Sequence, residues 1–400
     1  MINQTYKNML GGKSVIRELS EYATARGKEV GYDNVFDYSL GNPSVPCTDS
    51  YTQAIINLHT EKEPAQIHGY SPSLGIESVR ETVANSLNRR FDMNYQAKHI
   101  FMASGAASAL SHAFRCVTVP GDEILTFAPF FPEYTPYVNL TGAVLKVVPA
   151  DISSFQINFE AFEEMLNPKV TAVLVNTPSN PSGAIFNTKT IEKLAEILSK
   201  KQQEYGHDIF IISDEPYREI LFAGADSPYI SKFYDNTISC YSFSKSLSLP
   251  GERIGYVAVC PRATDADFIA AMCGQVSRGI GHNCPSSSVQ LAVAKVIDEV
   301  SDLSVYETNM NIIYDALVRL GFEVVKPSGT FYIFPKALEE DATAFCMKAK
   351  EYDLILVPSD NFGVTGHFRM AYCIDTDKVR RSIPVFEKFV KEQYGITPRD

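Results

Sequence analysis

Short apolar runs alternate with longer amphipathic segments from about Glu77 to the mid-260s, and this alternation is the feature that most constrains the fold. Runs rich in β-branched residues predict strands, and segments with apolar residues three or four apart predict helices. Such alternation is typical of βα units and a mainly parallel sheet, so the middle of the chain is predicted to be α/β. The predicted strands are 123–127, 144–148, 170–175, 209–213, 237–241 and 255–259, and the predicted helices are 76–90, 106–118, 188–203 and 264–276.

The pattern changes after Pro285. Two helical patterns, 285–299 and 303–320, precede four short β-rich segments, GFEVV, FYIFP, LILVP and HFRMAYC, which predict a smaller α+β domain. The first 45 residues contain a helical stretch and an extended FDYSLGNP but no core of their own, so they have to pack against another part. We expect a large domain of residues 46–285 and a small domain built from 1–45 and 286–400.

Composition and charge exclude several classes of protein. With 45% hydrophobic and 21% charged residues the chain is neither disordered nor fibrous. A net charge of −11 without a basic run argues against nucleic acid as a partner. No apolar stretch approaches the roughly 18 to 20 residues of a membrane span, and the charged N-terminus lacks a secretory signal, so we expect a cytoplasmic protein. The scattered cysteines and histidines predict no metal site.

The segment SFSKSLSLPGERIGY, residues 242–256, is predicted to be a polar loop between two strands. A lone loop lysine is usually a solvated one, and Lys245 has no packing role there. Its neighbours Ser242, Ser244 and Arg253 can all hold an anion. Together they fit a ligand that carries a phosphate and a carbonyl group.

The segment ISDEPYRE places Asp214 at the end of an apolar strand, with Tyr217 shortly after it. Carboxylates at the C-terminal ends of parallel strands usually face the ligand crevice of an open α/β sheet. The alternative is a helix N-cap. NTPSNPSGAIF likewise follows a strand and reads by itself as a turn.

Two further segments have a binding interpretation and a structural one. ASGAASALSHAF, residues 103–114, opens a helix with small residues, so free backbone N–H groups and the positive end of the helix dipole can bind a phosphate. A tight helix start explains the same residues. In PFFPEY, Phe131 lies just past a strand, where its ring can stack on a cofactor or pack in the core.

In this order and spacing the segments resemble the class I/II aminotransferases, the fold-type I pyridoxal 5'-phosphate enzymes. The match runs from about Gly41 to Arg369, and its most specific parts are NTPSNPSG, SDEPY and SFSK with GERIG. Ser182 stands where the family often has Thr, and two alanines replace more polar residues in the phosphate loop. The resemblance implies a large domain with a mainly parallel seven-stranded sheet between helices, a smaller α+β domain, and a homodimer.

The resemblance also implies roles for individual residues. Lys245 would form the Schiff base with pyridoxal phosphate and move the substrate's α-proton as general base and acid. Asp214 would keep the pyridinium nitrogen protonated, and Asn180 and Tyr217 would hydrogen-bond the phenolic oxygen. Phe131 would stack on the ring face. The phosphate would be bound by Gly105, Ala106, Ala107, Ser242, Ser244, Arg253 and Tyr70 of the partner subunit.

Arg369 occupies the family's position for the arginine that binds the substrate α-carboxylate, and Gly41 would let the backbone approach the same group. Ala107 stands where many aspartate enzymes have a lysine for the distal carboxylate. Arg278, ahead of Asn283, is in a comparable place to an arginine that another subgroup supplies from the partner subunit. We therefore expect transfer of an amino group by a ping-pong mechanism between aspartate or glutamate and a 2-oxo acid.

Other functions stay open at this point. The same residues would serve an aminotransferase of aromatic, alanine or broad specificity, or a C–S lyase on the same fold. A nicotinamide-dependent oxidoreductase lacks support because no G-x-G-x-x-G follows the first strand. A non-catalytic sensor would have a DNA-binding helix-turn-helix ahead of the fold, and only about 40 residues precede Gly41. Ser14 and Arg17 either cap and solvate the first helix or have a further role.

Overall fold

The structure is a computed structural model that describes residues 2–11 and 14–399. Its strands are β1 Phe36–Asp37, β2 Ile100–Ala103, β3 Glu123–Phe127, β4 Val144–Val148, β5 Val170–Asn176, β6 Phe210–Asp214, β7 Thr237–Ser242, β8 Gly255–Val259, β9 Tyr332–Ile333, β10 Leu354–Ile355, β11 Val357–Pro358 and β12 Phe368–Ala371. The six strands predicted for the middle of the chain are all present, with small shifts at their ends.

Seven of these strands form the central sheet, in the order β2–β8–β7–β6–β5–β3–β4. β8 runs antiparallel to both of its neighbours, and the other pairings are parallel. Every residue of β6, β7 and β8 is buried, as expected for strands covered by helices on both faces. The predicted α/β fold with a mainly parallel seven-stranded sheet is confirmed.

The helices are α1 Gln4–Gly11, α2 Val15–Val30, α3 Asp49–Glu61, α4 Pro64–His68, α5 Glu77–Phe91, α6 Ala106–Val117, α7 Tyr134–Asn139, α8 Phe159–Met165, α9 Thr188–Tyr205, α10 Phe243–Ser246, α11 Ala266–Ile280, α12 Ser287–Lys295, α13 Ser304–Arg319, α14 Ala342–Lys350 and α15 Thr376–Tyr394. Within the described ranges, none of these helices is long and apolar enough to cross a membrane.

The C-terminal part of the chain forms a second, smaller assembly of helices and short strands. β11, β12 and β9 make a three-stranded antiparallel sheet, and β1 pairs in parallel with β10. The N-terminal segment packs here, because Phe36 and Tyr38 share a buried cluster with α13 and α15. α12 instead packs in the cluster that covers the large sheet, through Val289, Ala292 and Val293. The domain boundaries given above stay a prediction.

Some local predictions are wrong. GFEVV forms no strand, because Gly321 N–H and Phe322 N–H donate back to the end of α13, and Lys336 N–H makes one isolated hydrogen bond to the Glu323 carbonyl instead of a ladder. The segment 242–256 is not a plain loop: the Ser242 side chain accepts from Ser244 N–H and caps the one-turn α10. The prediction for 285–299 is too long, since α12 ends at Lys295, and the buried edge strand β2 was not predicted.

Candidate active site

The carboxyl ends of β5, β6 and β7 open onto a cavity of about 350 Å³. In the ladder, Asp214 pairs with Asn176 of β5 on one side and with Cys240 of β7 on the other, so the end of β6 lies at the middle of this edge. Most of the predicted site residues line this one space: Gly41, Ala106, Ala107, Phe131, Asn180, Asp214, Tyr217, Ser242, Ser244, Lys245, Arg253 and Arg369. Gly105 directly precedes α6 at its rim.

Asp214 is a buried carboxyl group with only part of its hydrogen-bonding capacity used. The Tyr134 hydroxyl donates to its Oδ2 at 2.5 Å, whereas its Oδ1 is buried and has no partner within the described part of the chain. Burial raises the pKa of Asp214 to about 7, although the Tyr134 hydrogen bond lowers it. A cation or N–H group entering the cavity would find a ready acceptor in Oδ1.

Lys245 lies on α10 with its amine inside the same cavity. Nζ donates to the Gly41 carbonyl at 2.7 Å and lies 5.3 Å from the centre of the Phe331 ring. Burial lowers the pKa of Lys245 to about 8, because the ammonium form loses hydration and the guanidinium groups of Arg253 and Arg369 repel it. A buried lysine with this pKa is neutral for part of the time near pH 8, as a nucleophile or proton acceptor must be.

Backbone N–H groups and an arginine form an anion cradle at the start of α6. Gly105 has φ +83, which favours glycine, and a Cβ there would lie 2.7 Å from a guanidinium nitrogen of Arg253. Arg253 itself is held by hydrogen bonds to the Pro250 carbonyl at 2.9 Å and the Ser104 carbonyl at 3.4 Å. The hydroxyls of Ser242 and Ser244 line the same space. This donor set suits a phosphate group.

Arg369 is almost completely buried, yet its partners in the described residues are uncharged. It donates to Asn180 Oδ1 at 3.0 Å and to the Ser39 carbonyl at 2.5 Å, and its Nε has no partner. Its guanidinium carbon lies 4.6 Å from the centre of the Tyr332 ring. Burial lowers the pKa of Arg369. Because a buried charge is costly without a counterion, this arrangement fits a site for a carboxylate ligand.

Tyr332 lies against both Tyr217 and Gly41 at the cavity. The hydroxyls of Tyr217 and Tyr332 lie 3.1 Å apart, and burial raises the pKa of Tyr217 well above its ordinary value. A Cβ on Gly41 would lie 1.9 Å from the Tyr332 hydroxyl, so only glycine leaves room for this contact. Gly41 thus brings the N-terminal segment onto the cavity, and its approach to a substrate carboxylate stays a prediction.

Tyr70 and Arg278 are not brought into this cavity by their own chain. Tyr70 is fully exposed and lies beside a different space, next to Asn283. Arg278 is exposed in the last turn of α11. Their predicted positions at the neighbouring subunit's site require a second copy and stay predictions.

Sequence reasoning missed several residues that line the cavity. Asn176 ends β5 as Asp214 ends β6, and its side chain donates to the Asp214 carbonyl at 2.9 Å. The rule about carboxyl ends of parallel strands would have found it. Tyr134 stands three residues after Phe131 in the segment already selected. Nothing in FYIFP marks Tyr332 as a site residue. Arg17, whose role the sequence left open, also lines this cavity.

Comparisons with known proteins show the family of this chain. The profile of the family described as aminotransferase class I and II matches residues 33–385. The solved structure of an aminotransferase from Eubacterium rectale is 42% identical, with a TM-score of 0.95 over 98% of this chain and 99% of that one. A probable N-acetyl-LL-diaminopimelate aminotransferase of Bacillus subtilis is 28% identical over 90% of both chains.

An aspartate aminotransferase of Geobacillus stearothermophilus is also 28% identical, over 91% of this chain and 93% of its own. The chain therefore belongs to the class I and II aminotransferase family, with the fold-type I architecture of that family, and it is a transaminase.

Proposed function

We propose that this transaminase uses pyridoxal 5'-phosphate, bound in the 350 Å³ cavity, to move an amino group between an L-amino acid and a 2-oxo acid. One observation supports this above the others: the partnerless Oδ1 of Asp214 and the amine of Lys245 line one space, with the anion cradle of Arg253 beside them. An acid, an amine and a phosphate site around one cavity are the chemical requirements of that cofactor.

The donor set of the cavity fits the cofactor group by group. Arg253, Ser242, Ser244 and the backbone of residues 105–107 would bind its phosphate, and Phe131 would stack on its ring. Asp214 Oδ1 would accept from the ring nitrogen, and Asn180 and Tyr217 would contact the ring's phenolic oxygen. When bound, the cofactor supplies an electron sink for the electrons left after proton removal from the substrate's α-carbon.

Lys245 is the base and acid of the proposed reaction. Its amine, with a pKa of about 8, would take the α-proton from the substrate as a base and give it up again as an acid. Arg369, with Asn180 beside it, would bind the α-carboxylate and hold the α-carbon near Lys245. The presence of Lys245, Arg369 and Asn180 on the lining of one cavity supports these proposed roles.

The proposal includes a homodimer. Tyr70 is fully exposed in a single chain, which leaves its hydroxyl available to the phosphate site of a second copy. The cytoplasmic location stays a prediction. The preferred substrates in this proposal are the dicarboxylic amino acids aspartate and glutamate, because the pocket is rich in cationic side chains and relatives include aspartate aminotransferases.

Steady-state kinetics tests the proposed function. With pyridoxal phosphate present, initial rates measured with varied amino acid at several fixed 2-oxo acid concentrations should give the parallel double-reciprocal lines of a ping-pong mechanism. Lys245→Ala should lose this activity by several orders of magnitude, while a conservative change at an exposed lysine, Lys28→Arg, should keep it. Intersecting lines, or full activity in Lys245→Ala, would refute the proposal.

A further inference from the structure

The N-terminal segment forms part of the cavity wall that faces Lys245. Ser14, Ile16 and Arg17, at the start of α2, line the cavity together with Phe131 and Tyr137. The sequence alone could not decide whether Arg17 only solvates the helix. The structure places Arg17 on the lining of the same cavity as Lys245.

Among the described residues, the cavity is lined by four cationic side chains, and three of them already have a function in the proposed reaction. Lys245 donates to the Gly41 carbonyl and is the proposed base. Arg253 belongs to the phosphate cradle, and Arg369 donates to Asn180 at the α-carboxylate site. Arg17 is the fourth cation, and neither the cofactor nor the common part of an amino acid requires it.

Arg17 is exposed to solvent and, in the described part of the chain, has no carboxylate partner at ion-pair distance. Across residues 2–11 and 14–399 it takes part in no ion pair. Burial raises the pKa of the Tyr137 hydroxyl, and the nearby positive charges of Arg253 and Arg17 lower it. An arginine that lines a pocket and has no counterion presents its planar donor group to an anionic ligand.

The acids that face the same region oppose such a ligand. Glu133 lines the cavity, and Glu18 and Glu21 of α2 line an adjoining space of about 810 Å³ that also includes Arg17. Glu133 raises the pKa of the Tyr137 hydroxyl, whereas Arg17 lowers it. Arg17 would attract a bound carboxylate and Glu133 would repel it. Removal of the two charges should therefore change the affinity for such a ligand in opposite directions.

We propose that Arg17 binds the side-chain carboxylate of a dicarboxylic amino acid or 2-oxo acid, within the same subunit whose Arg369 binds the α-carboxylate. This inference rests on the proposed function. It assigns the distal carboxylate to a residue that the described chain places in the cavity, whereas Arg278 would have to come from a second copy. The adjoining space on the far side of Arg17 leaves room for side chains longer than that of aspartate.

Binding of unreactive acids to the pyridoxal phosphate-loaded protein tests this directly. Succinate and butyrate both have four carbons and differ in the second carboxylate, so calorimetric titration of the two isolates recognition of that group. Arg17→Ala should weaken succinate binding by about 10- to 100-fold, the effect of losing one charged hydrogen bond, and should change butyrate binding less than about threefold. Glu133→Gln should strengthen succinate binding.

Lys28→Ala is the matched control, because Lys28 is another exposed cation on α2 and does not line the cavity. It should leave both affinities unchanged. The ratio of kcat/KM for aspartate to that for alanine should fall in Arg17→Ala by the same factor as succinate affinity.

Equal losses for succinate and butyrate in Arg17→Ala, or a selective loss in Arg278→Ala with Arg17→Ala unaffected, would overturn the assignment of Arg17 while the transaminase proposal stands. A wild-type protein that takes up no pyridoxal phosphate, or that transaminates no amino acid, would instead refute the proposed function.

Discussion

Replacement of Asp214 by asparagine should stabilise the cofactor-free protein in a pH-dependent way. The carboxyl group is buried, one of its oxygens has no partner in the described chain, and its pKa is raised from 3.8 to about 7. At pH values between 3.8 and about 7, Asp214 holds a proton in the folded chain that it has lost in the unfolded chain. The free energy of unfolding of the wild type therefore falls as the pH rises through this window. Asp214→Asn does not show this fall, because asparagine does not ionise.

The size of the effect follows from the two pKa values. One pH unit between them corresponds to about 1.4 kcal/mol, so the charge of Asp214 costs on the order of 4 kcal/mol at pH 8. Part of this cost is already present at pH 5. The stability of Asp214→Asn relative to the wild type should thus increase by about 2 to 3 kcal/mol between pH 5 and pH 8.

Urea unfolding of the two cofactor-free proteins, followed by circular dichroism at pH 5 and pH 8, measures this difference. Asp315→Asn, at an exposed carboxylate of α13, is the control and should show no such pH dependence. Pyridoxal phosphate should stabilise the wild type more than Asp214→Asn, because only the carboxylate pairs with a protonated ring nitrogen. A stability difference that is the same at both pH values would refute the reasoning.

Three other changes test separate parts of the site. Gly105→Ala should weaken pyridoxal phosphate binding at least about tenfold, because its Cβ would lie 2.7 Å from the Arg253 guanidinium; an unchanged affinity in a fluorescence titration would contradict this. Reductive attachment of pyridoxal phosphate to Lys245 should reach half its maximal rate near pH 8, where the amine loses its proton, and not near the ordinary lysine value of 10.5. Tyr70→Phe should weaken pyridoxal phosphate binding while the dimer persists in size-exclusion chromatography; equal affinity would remove Tyr70 from the neighbour's phosphate site.

Local rules supplied the candidates for the site, and the resemblance to the class I/II aminotransferases decided between their alternative interpretations. Asp214 stands at the carboxyl end of a buried strand, and small residues open the helix at the predicted phosphate site. The serines and the arginine near Lys245 lie within 12 residues of one another, so one short segment carries that part of the resemblance. Short apolar runs likewise located the central strands β6, β7 and β8, because each of these three is buried along its whole length.

The remaining features depend on contacts between distant parts of the chain. Tyr134 meets Asp214 across 80 residues of sequence, and Lys245 meets the Gly41 carbonyl across 204. No spacing rule specifies such pairs, because they arise only when α7, α10 and the N-terminal segment pack at one edge of the sheet. GFEVV was wrongly predicted as a strand from its apolar residues. Phe322 is buried against α14, α15 and β12, but its backbone pairs in no ladder.

Borohydride reduction of the pyridoxal phosphate-loaded protein, followed by peptide mass spectrometry, tests the central claim that an amine and an acid enclose one cofactor. We expect the reduced cofactor on Lys245 and on no other lysine, and we expect Asp214→Asn to lower the labelled fraction at limiting cofactor. Label on a different lysine, or a protein that stays unlabelled at saturating cofactor, would contradict the account.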